Sequence, residues 1–205
     1  MIRSTHNLRV ILIGGTSHAG KSTLAHSLAL RLGWDHISTD KLARHPGRPW
    51  KTEARDVPEH VADHYLSLPV DELILDVLCH YRNNVWPTVE SLVVSRSTDL
   101  ATDCLILEGS ALWPEQVASL ELYPARAIWL TASNRLFEER IYRESRYEEK
   151  TPREKAMISK FLKRTLVYNE RMMDVVNRLG LLSIDLETAS SLDELADMCM
   201  NLLRR

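Results

Sequence analysis

The chain has 205 residues, with 26 Lys or Arg against 28 Asp or Glu, and a formal net charge of −2. A chain of this length forms one domain, with or without an insertion, and buries a substantial core. Its nearly balanced charge provides no dominant basic face. We therefore expect no nucleic-acid partner and no membrane-surface partner.

The cysteines and the N-terminus indicate the compartment. Cys79, Cys104 and Cys199 are widely separated and odd in number, which is typical of reduced thiols and not of a disulfide framework. No run is long enough to span a bilayer, and the few residues before Arg3 lack the apolar core of a signal peptide. These features predict a cytoplasmic protein.

The segment from Gly15 to Ser22 carries the strongest chemical signature. It fits the pattern G-x-x-x-x-G-K-[ST] and follows an apolar run, 8–13, that predicts a buried strand. Small residues let successive backbone N–H groups surround phosphate oxygens, and the helix predicted at 21–32 adds the positive end of its dipole. Gly33 is typical of the position after a helix end. The segment is predicted to bind ATP or GTP.

The residues predicted to contact the nucleotide in this loop are Gly15, Thr16, Ser17, His18, Ala19, Gly20, Lys21, Ser22 and Thr23. We expect Lys21 to reach the β- and γ-phosphates as a catalytic residue and Ser22 to ligate Mg²⁺. His18 would lie beside the phosphates and donate a hydrogen bond. The alternative is a glycine turn that only resembles the motif.

Four further apolar runs predict strands at 36–39, 104–107, 127–130 and 181–186. Longer helical patterns separate them. Strands that are buried as continuous apolar runs and alternate with helices favour a parallel sheet covered on both faces. The fold class predicted from the sequence is therefore α/β.

Two helix starts are marked by capping boxes, at Thr151 with Glu154 and at Ser191 with Glu194. The first box opens an amphipathic pattern that continues to Leu179, before Gly180. We expect a long helix that leads into the last strand.

Residues 41–101 interrupt the alternation of strands and helices. Prolines divide this stretch into three short helical patterns at 58–68, 69–83 and 87–98. We interpret it as a helical insertion between the second and third strands of one domain, 1–205.

Taken in order, these features resemble the P-loop kinases of small molecules. The features are the phosphate loop after the first strand, Asp40 just past the second, the helical insertion, Glu108-Gly109 at the end of the third, and an arginine-rich helix after the fourth. The group includes nucleoside monophosphate kinases, shikimate and gluconate kinases, chloramphenicol phosphotransferase and 2-phosphoglycerate kinase. The resemblance implies a three-layer fold with a five-stranded parallel sheet, a substrate site built by the insertion, and a lid near 134–150.

Asp40 lies at the carboxyl end of the second predicted strand, where open α/β sheets bind ligands. In kinases of this group that use a hydroxyl acceptor, a carboxylate in the matching place contacts the hydroxyl and takes its proton. The resemblance therefore implies a catalytic and substrate-binding role for Asp40. The alternative is an N-cap for a helix that begins at Lys41.

Glu108 follows four apolar residues and precedes Gly109. The pattern is similar to the second nucleotide-site motif, with Glu in place of Asp. Such a carboxylate would hold Mg²⁺, directly or through water, or bind substrate hydroxyls, and Gly109 leaves room for a ligand. The alternative is a strand-end residue that pairs with a nearby Lys or Arg.

Arg140, Arg143 and Arg146 follow the fourth strand at intervals of three, so a helix would place them on one broad face. The pattern is similar to the lid entrance of these kinases, which implies that Arg140 binds ATP and that Arg140 and Arg143 are catalytic. A planar guanidinium can hold two phosphate oxygens during transfer. The alternative is a surface with pairs of Glu139 with Arg143 and of Arg140 with Glu144.

The start of the insertion is basic, with Arg44, Arg48 and Lys51. Arg44 is expected to bind the substrate, although a solvated basic turn is equally consistent with the pattern. Trp50, Trp86 and Trp113 would line a pocket or, more commonly for tryptophan, belong to the core.

The sequence thus predicts a phosphotransferase that uses Mg²⁺ and ATP on a small-molecule acceptor. A carboxylate at the sheet edge favours a hydroxyl acceptor over a nucleoside monophosphate. Two alternatives remain open, a nucleoside monophosphate kinase and an ATPase or nucleotide-gated protein without a small acceptor.

Overall fold

The computed structural model describes residues 8–43, 46–51, 56–120 and 125–204. Five strands form one sheet: β1 (Val10–Gly15), β2 (Asp35–Ser38), β3 (Leu105–Glu108), β4 (Ala125–Thr131) and β5 (Ser183–Asp185). Their order is β2-β3-β1-β4-β5, and every neighbouring pair is parallel. The predicted α/β class is confirmed, and each strand begins and ends within two residues of its predicted bounds.

The helices in the described ranges are α1 (Lys21–Leu32), α2 (Glu59–Ser67), α3 (Val70–His80), α4 (Trp86–Thr98), α5 (Pro114–Ala118), α6 (Asn134–Ser145), α7 (Pro152–Arg178) and α8 (Leu192–Leu203). None of these helices has the length and apolarity needed to cross a membrane.

The helix ends follow the local sequence. α1 has its predicted bounds, and Gly33 after it is left-handed with φ of 66°. Both bonds of the capping box between Thr151 and Glu154 are present at the start of α7. At α8, Ser191 accepts the backbone N–H of Glu194, but the Glu194 carboxylate accepts the N–H of Ser190 at 2.7 Å. The second predicted box is therefore formed only in part.

β1 lies at the centre of the sheet and supplies both faces of the core, because successive side chains of a strand point to opposite faces. Ile11 and Ile13 pack in a cluster with residues of α1 and α8. Val10 and Leu12 pack in a second cluster with residues of α4 and α7. This two-sided burial explains why the strand is a continuous apolar run in the sequence.

The insertion between β2 and β3 contains α2, α3 and α4. A π-helical turn, Tyr81–Val85, joins α3 to α4, so these two predicted helices are continuous and Pro87 lies in the first turn of α4. A third buried cluster contains residues of α2 and α3, among them Tyr65, together with Phe161 and its neighbours on α7. The insertion is thus packed against the long helix.

Candidate active site

A cleft of about 1370 Å³ opens at the carboxyl ends of the strands. Its volume exceeds the range common for a single small ligand, so it has room for a nucleotide and a second small molecule. The predicted site residues that line it are Ser17, His18, Gly20, Lys21, Ser22, Thr23, Asp40, Glu108, Arg140 and Arg143. The fold therefore brings residues from four separate segments to one cleft.

The phosphate loop has a compact shape set by its backbone. His18 and Gly20 both have left-handed φ angles, 65° and 76°. The predicted residues of the loop that do not line the cleft are Gly15, Thr16 and Ala19. Thr16 is buried and its hydroxyl donates to the carbonyl of Thr165 on α7 at 3.2 Å, while Ala19 belongs to the core. These residues support the loop from behind.

Lys21 is 8% exposed and bends back over the loop. Its Nζ donates to the carbonyl of Thr16 at 2.8 Å and to Ser110 Oγ at 3.2 Å. Burial lowers the pKa of Lys21, and the nearby charges of Glu108 and Asp40 act in the opposite direction. The ammonium group thus lies within electrostatic reach of both predicted carboxylates.

Ser22 and Glu108 are in direct contact. Ser22 Oγ donates to Glu108 Oε1 at 2.9 Å, and Glu108 is only 1% exposed. His36 Nε2 lies 3.9 Å from the same oxygen, but no described lysine or arginine forms an ion pair with Glu108. The alternative of a strand-end pair with Lys or Arg is therefore wrong for the described residues. A hydroxyl and a carboxylate beside the phosphate loop fit a hard, oxygen-seeking cation such as Mg²⁺.

Asp40 lies in a short 3₁₀-helix, Thr39–Lys41, whose N-cap is Ser38. The N-cap alternative for Asp40 is therefore wrong. The Asp40 side chain is exposed and lines the cleft. It has the position expected of a group that meets a ligand at the sheet edge.

Gly109 is required by its own backbone angle and by the adjacent side chain of Thr39. It has φ of 154°, and a Cβ at this position would lie 1.7 Å from Thr39 Oγ1. Gly109 is not among the residues that line the cleft. Its missing side chain makes room for Thr39, and its predicted contact with substrate stays a prediction.

The predicted lid arginines do not all share one face. Arg140 and Arg143 line the cleft, but α6 ends at Ser145. Arg146 follows with a left-handed φ of 51° and does not line the cleft, so the prediction of a three-arginine face is wrong. Arg140 Nη1 donates to the carbonyl of His18 at 2.8 Å. This bond attaches α6 to the phosphate loop.

The surface pairs left open by the sequence are not formed, and all their members are described. Glu139 Oε1 instead accepts from Arg135 Nε at 2.7 Å. Glu144 faces the cleft, where it pairs with Arg48 of the insertion and lies 3.0 Å from His18 Nε2. Glu144 therefore connects α6, the insertion and the phosphate loop at one junction.

His18 is the uncharged member of the junction that Glu144 forms with His18 and Arg48. Burial, followed by the charges of Arg48, Lys21 and Arg140, lowers the pKa of His18 to about 3. Its contact with Glu144 is therefore between a neutral imidazole and a carboxylate near pH 7. Its ring centroid lies 5.8 Å from that of Trp50.

The basic residues at the start of the insertion do not all line the cleft. Arg48 lines the cleft, whereas Lys51 is bound to Asp56 at 2.7 Å and does not. Arg44 lies outside the described residues. Trp50 lines the cleft. Trp86 and Trp113 are partly buried against the core cluster that contains residues of α4 and α7.

The lining residues that sequence reasoning missed include Ser110, Tyr81 and Arg164. Ser110 follows β3, binds Lys21, and accepts with its carbonyl the hydroxyl of Tyr168 at 2.5 Å. Arg164 was hidden inside the amphipathic pattern of α7. Its spacing from two aromatic residues, three after Phe161 and four before Tyr168, is the signal that would have placed it on the buried face.

The sequence matches no protein-family model and no curated protein. Its structure is similar to that of a gluconokinase from Sinorhizobium meliloti, with a TM-score of 0.55 and 20% identity over 96% of both chains. A sugar kinase from Janibacter sp. matches with a TM-score of 0.54 and 19% identity over 95% of this chain and 93% of that chain.

A shikimate kinase from Bacteroides thetaiotaomicron matches with a TM-score of 0.52 and 12% identity, over 96% of this chain and 98% of that chain. At such identities the likeness concerns the fold. The chain has the fold of the P-loop small-molecule kinases, as the order of its motifs predicted.

Proposed function

We propose that this protein is a kinase that transfers the γ-phosphoryl group of ATP, with Mg²⁺, to a hydroxyl group of a small metabolite. The observation that carries the proposal is the meeting of Lys21 and Asp40 in one cleft. One residue is suited to bind a transferring phosphoryl group and the other to accept a proton.

On the nucleotide side, the backbone of the loop and the start of α1 would hold the phosphates. Ser22 and Glu108 would hold Mg²⁺, which neutralises phosphate charge when bound. Lys21 needs only to exchange its bonds with Thr16 and Ser110 for phosphate oxygens. The Lys21 ammonium group lies between the phosphate loop and the residues that follow β3, which supports this exchange of partners.

On the acceptor side, Asp40 would accept the hydroxyl proton as the acceptor oxygen attacks the γ-phosphorus. The new P–O bond forms while the bond from the γ-phosphorus to the β,γ-bridging oxygen breaks, and ADP leaves with that oxygen. Arg140 and Arg143 would neutralise the charge that develops on the phosphoryl oxygens. The Arg140 bond to the loop carbonyl of His18 supports this role.

The similar solved structures favour an acceptor of low molecular weight, since they include a gluconokinase, a sugar kinase and a shikimate kinase. The size of the cleft agrees with that assignment. A nucleoside monophosphate is less suited, because its phosphate is already ionised and has little use for a base such as Asp40.

The test is ADP release from Mg-ATP over a panel of hydroxylated metabolites and nucleoside monophosphates. We expect release to depend on one class of hydroxyl compound. ATP hydrolysis at the same rate without any acceptor would favour the nucleotide-gated alternative. Transfer to a nucleoside monophosphate would replace the hydroxyl assignment.

A further inference from the structure

The acceptor side of the cleft contains a buried arginine. Arg164 on α7 is 7% exposed and lines the cleft. Its guanidinium carbon lies 4.8 Å from the ring centroid of Phe161 and 5.5 Å from that of Tyr65. These distances are typical of cation–π contacts, so two aromatic rings hold the guanidinium in place.

The charge of Arg164 has no counterion among the described residues. No described carboxylate forms an ion pair with it, and its buried Nη1 has no hydrogen-bond partner within the same ranges. A buried guanidinium is normally paired, because removing the charge from water is costly. An orphaned buried donor in a cleft is the arrangement expected of a ligand-binding group.

A second orphaned donor lies on the same wall. The indole Nε1 of Trp50 is buried without a hydrogen-bond partner in the described ranges, and Trp50 is 2% exposed. The Trp50 ring meets Phe161 edge to face, with centroids 5.0 Å apart. Trp50 and Arg164 therefore both contact Phe161, and both offer N–H groups that can only donate.

This wall belongs to the acceptor side because Tyr81 connects it to Asp40. Tyr81 lines the cleft, and burial raises the pKa of its hydroxyl. The Arg164 charge acts against that rise and the Asp40 charge adds to it. Both charged groups therefore lie within electrostatic reach of one phenol.

We infer that Arg164 and Trp50 form an anion subsite and that the acceptor is a hydroxylated carboxylic acid, which rests on the proposed function. The planar fork of a guanidinium matches a carboxylate, and one positive charge balances one negative charge. A phosphate monoester would bring a second charge to this wall. Arg48, a cation of the insertion that also lines the cleft, is already paired with Glu144.

The experiment uses matched sets of three probes. Each set contains a small polyhydroxy monocarboxylic acid, the polyol in which its carboxylate is reduced to an alcohol, and the phosphate monoester of that polyol. Binding is measured by calorimetry in the presence of Mg²⁺ and a non-hydrolysable ATP analogue, and transfer is measured with ATP. We expect an acid to bind about a hundredfold more tightly than its polyol, because the polyol leaves the buried donors unpaired.

Arg164→Met should remove that preference and leave affinity for the ATP analogue unchanged. Because it removes an unpaired buried charge, the variant should unfold at the same or a higher temperature. Arg164→Lys keeps the charge and loses the fork, so it should retain part of the preference. Trp50→Phe should weaken acid binding about tenfold. The control is Arg171→Met, a partly exposed arginine on the same helix that pairs with Asp71 and does not line the cleft, and it should leave acid binding unchanged.

The outcomes separate this inference from the proposed function. Acids that bind through Arg164 without any phosphoryl transfer would leave the subsite standing and remove the kinase assignment. Transfer to a polyol with equal efficiency in Arg164→Met would do the reverse. Tighter binding of the phosphate monoester, a preference for acid retained in Arg164→Met, or no binding of any acid would overturn the subsite.

Discussion

The two halves of the cleft are built in different ways. The proposed phosphate half is one continuous segment, the loop between β1 and α1, which would act largely through its backbone. The proposed acceptor half is assembled from the turn after β2, the insertion and α7, and it presents side chains, among them the buried Trp50 and Arg164. Under the proposed function, phosphate recognition would be encoded locally in this chain, whereas acceptor recognition would exist only after the insertion packs on α7.

The halves meet at His18, which belongs to the loop by sequence and to the acceptor half by packing. Its ring contacts Trp50 of the insertion and Phe161 of α7. Glu144 and Arg140 of α6 also contact His18. If the two halves are separable, a substitution in one half should leave the other intact, and the expected effects decrease from Lys21 through Asp40 and the α6 arginines to His18.

Loss of the Lys21 charge should have the largest effect. Lys21→Met is expected to lower kcat by about a thousandfold, because the ammonium group stabilises the transferring phosphoryl group. Lys163→Met, an exposed change on α7, should retain normal turnover. Wild-type kcat in a folded Lys21→Met protein, checked by circular dichroism, would contradict the role given to the phosphate half.

The acceptor half is tested at Asp40. Asp40→Asn should lower kcat by about a hundredfold, because the amide cannot accept the hydroxyl proton. Mg-ATP affinity, measured by calorimetry, should be unchanged if the two halves act separately. Asp63→Asn, in the exposed face of α2, is the matched control. A near-normal rate in Asp40→Asn would remove the general-base assignment and favour an acceptor that is already ionised.

The lid arginines should differ among themselves. Arg140→Ala and Arg143→Ala are each expected to lower kcat by about tenfold to a hundredfold, with a smaller change in nucleotide affinity, because their contacts strengthen as charge moves. Arg146→Asn keeps a residue that tolerates the left-handed backbone and should be nearly silent. Equal kcat in all three variants would assign the lid face to surface structure.

The smallest expected effect comes from His18 at the junction with Glu144 and Arg48, and it is a dependence of the free energy of unfolding on pH. The folded-state pKa of His18 is about 3, below the ordinary value of 6.5, so the unfolded chain binds more protons between these values. Stability contributed by the neutral imidazole is therefore present above pH 6.5 and is lost as the pH falls toward 3. Between pH 7 and pH 5 the loss should be about 2 kcal/mol.

Urea unfolding at several pH values measures this loss. His18→Asn removes the titrating ring in a residue that accepts a left-handed φ, so it should flatten the profile between pH 7 and pH 5. His26→Gln, an exposed change on α1, should keep the wild-type slope. An equal slope in His18→Asn would mean that the junction does not hold the imidazole neutral.

Much of the nucleotide side could be predicted because its signals are short-range. The loop pattern, the α1 bounds and the capping box at Thr151 depend on residues within one or two turns of each other. The sequence predicted that Ser22 and Glu108 share a Mg²⁺ ion but did not predict their direct hydrogen bond. Both residues lie near the carboxyl ends of neighbouring parallel strands, which meet at one edge of the sheet.

The errors arose where packing decided. Arg146 continued the helical spacing, but α6 ends one residue earlier, and this boundary was not visible in the arginine pattern. The sequence offered Glu144 only as a surface partner of Arg140, whereas in the fold the insertion brings Arg48 to it. Arg164 was hidden for the same reason, because a periodic pattern identifies the buried face of α7 but not what that face meets.

Apolar periodicity and motifs of fixed spacing were sufficient to predict the sheet class, the phosphate loop and the carboxylates at the sheet edge. The proposed acceptor half, in contrast, depends on tertiary packing. Arg164 and Trp50 lie more than a hundred residues apart in the chain, yet both line one cleft and each has a buried donor without a hydrogen-bond partner in the described ranges. Burial and hydrogen-bond satisfaction are properties of the packed chain, so no local pattern could have revealed that wall.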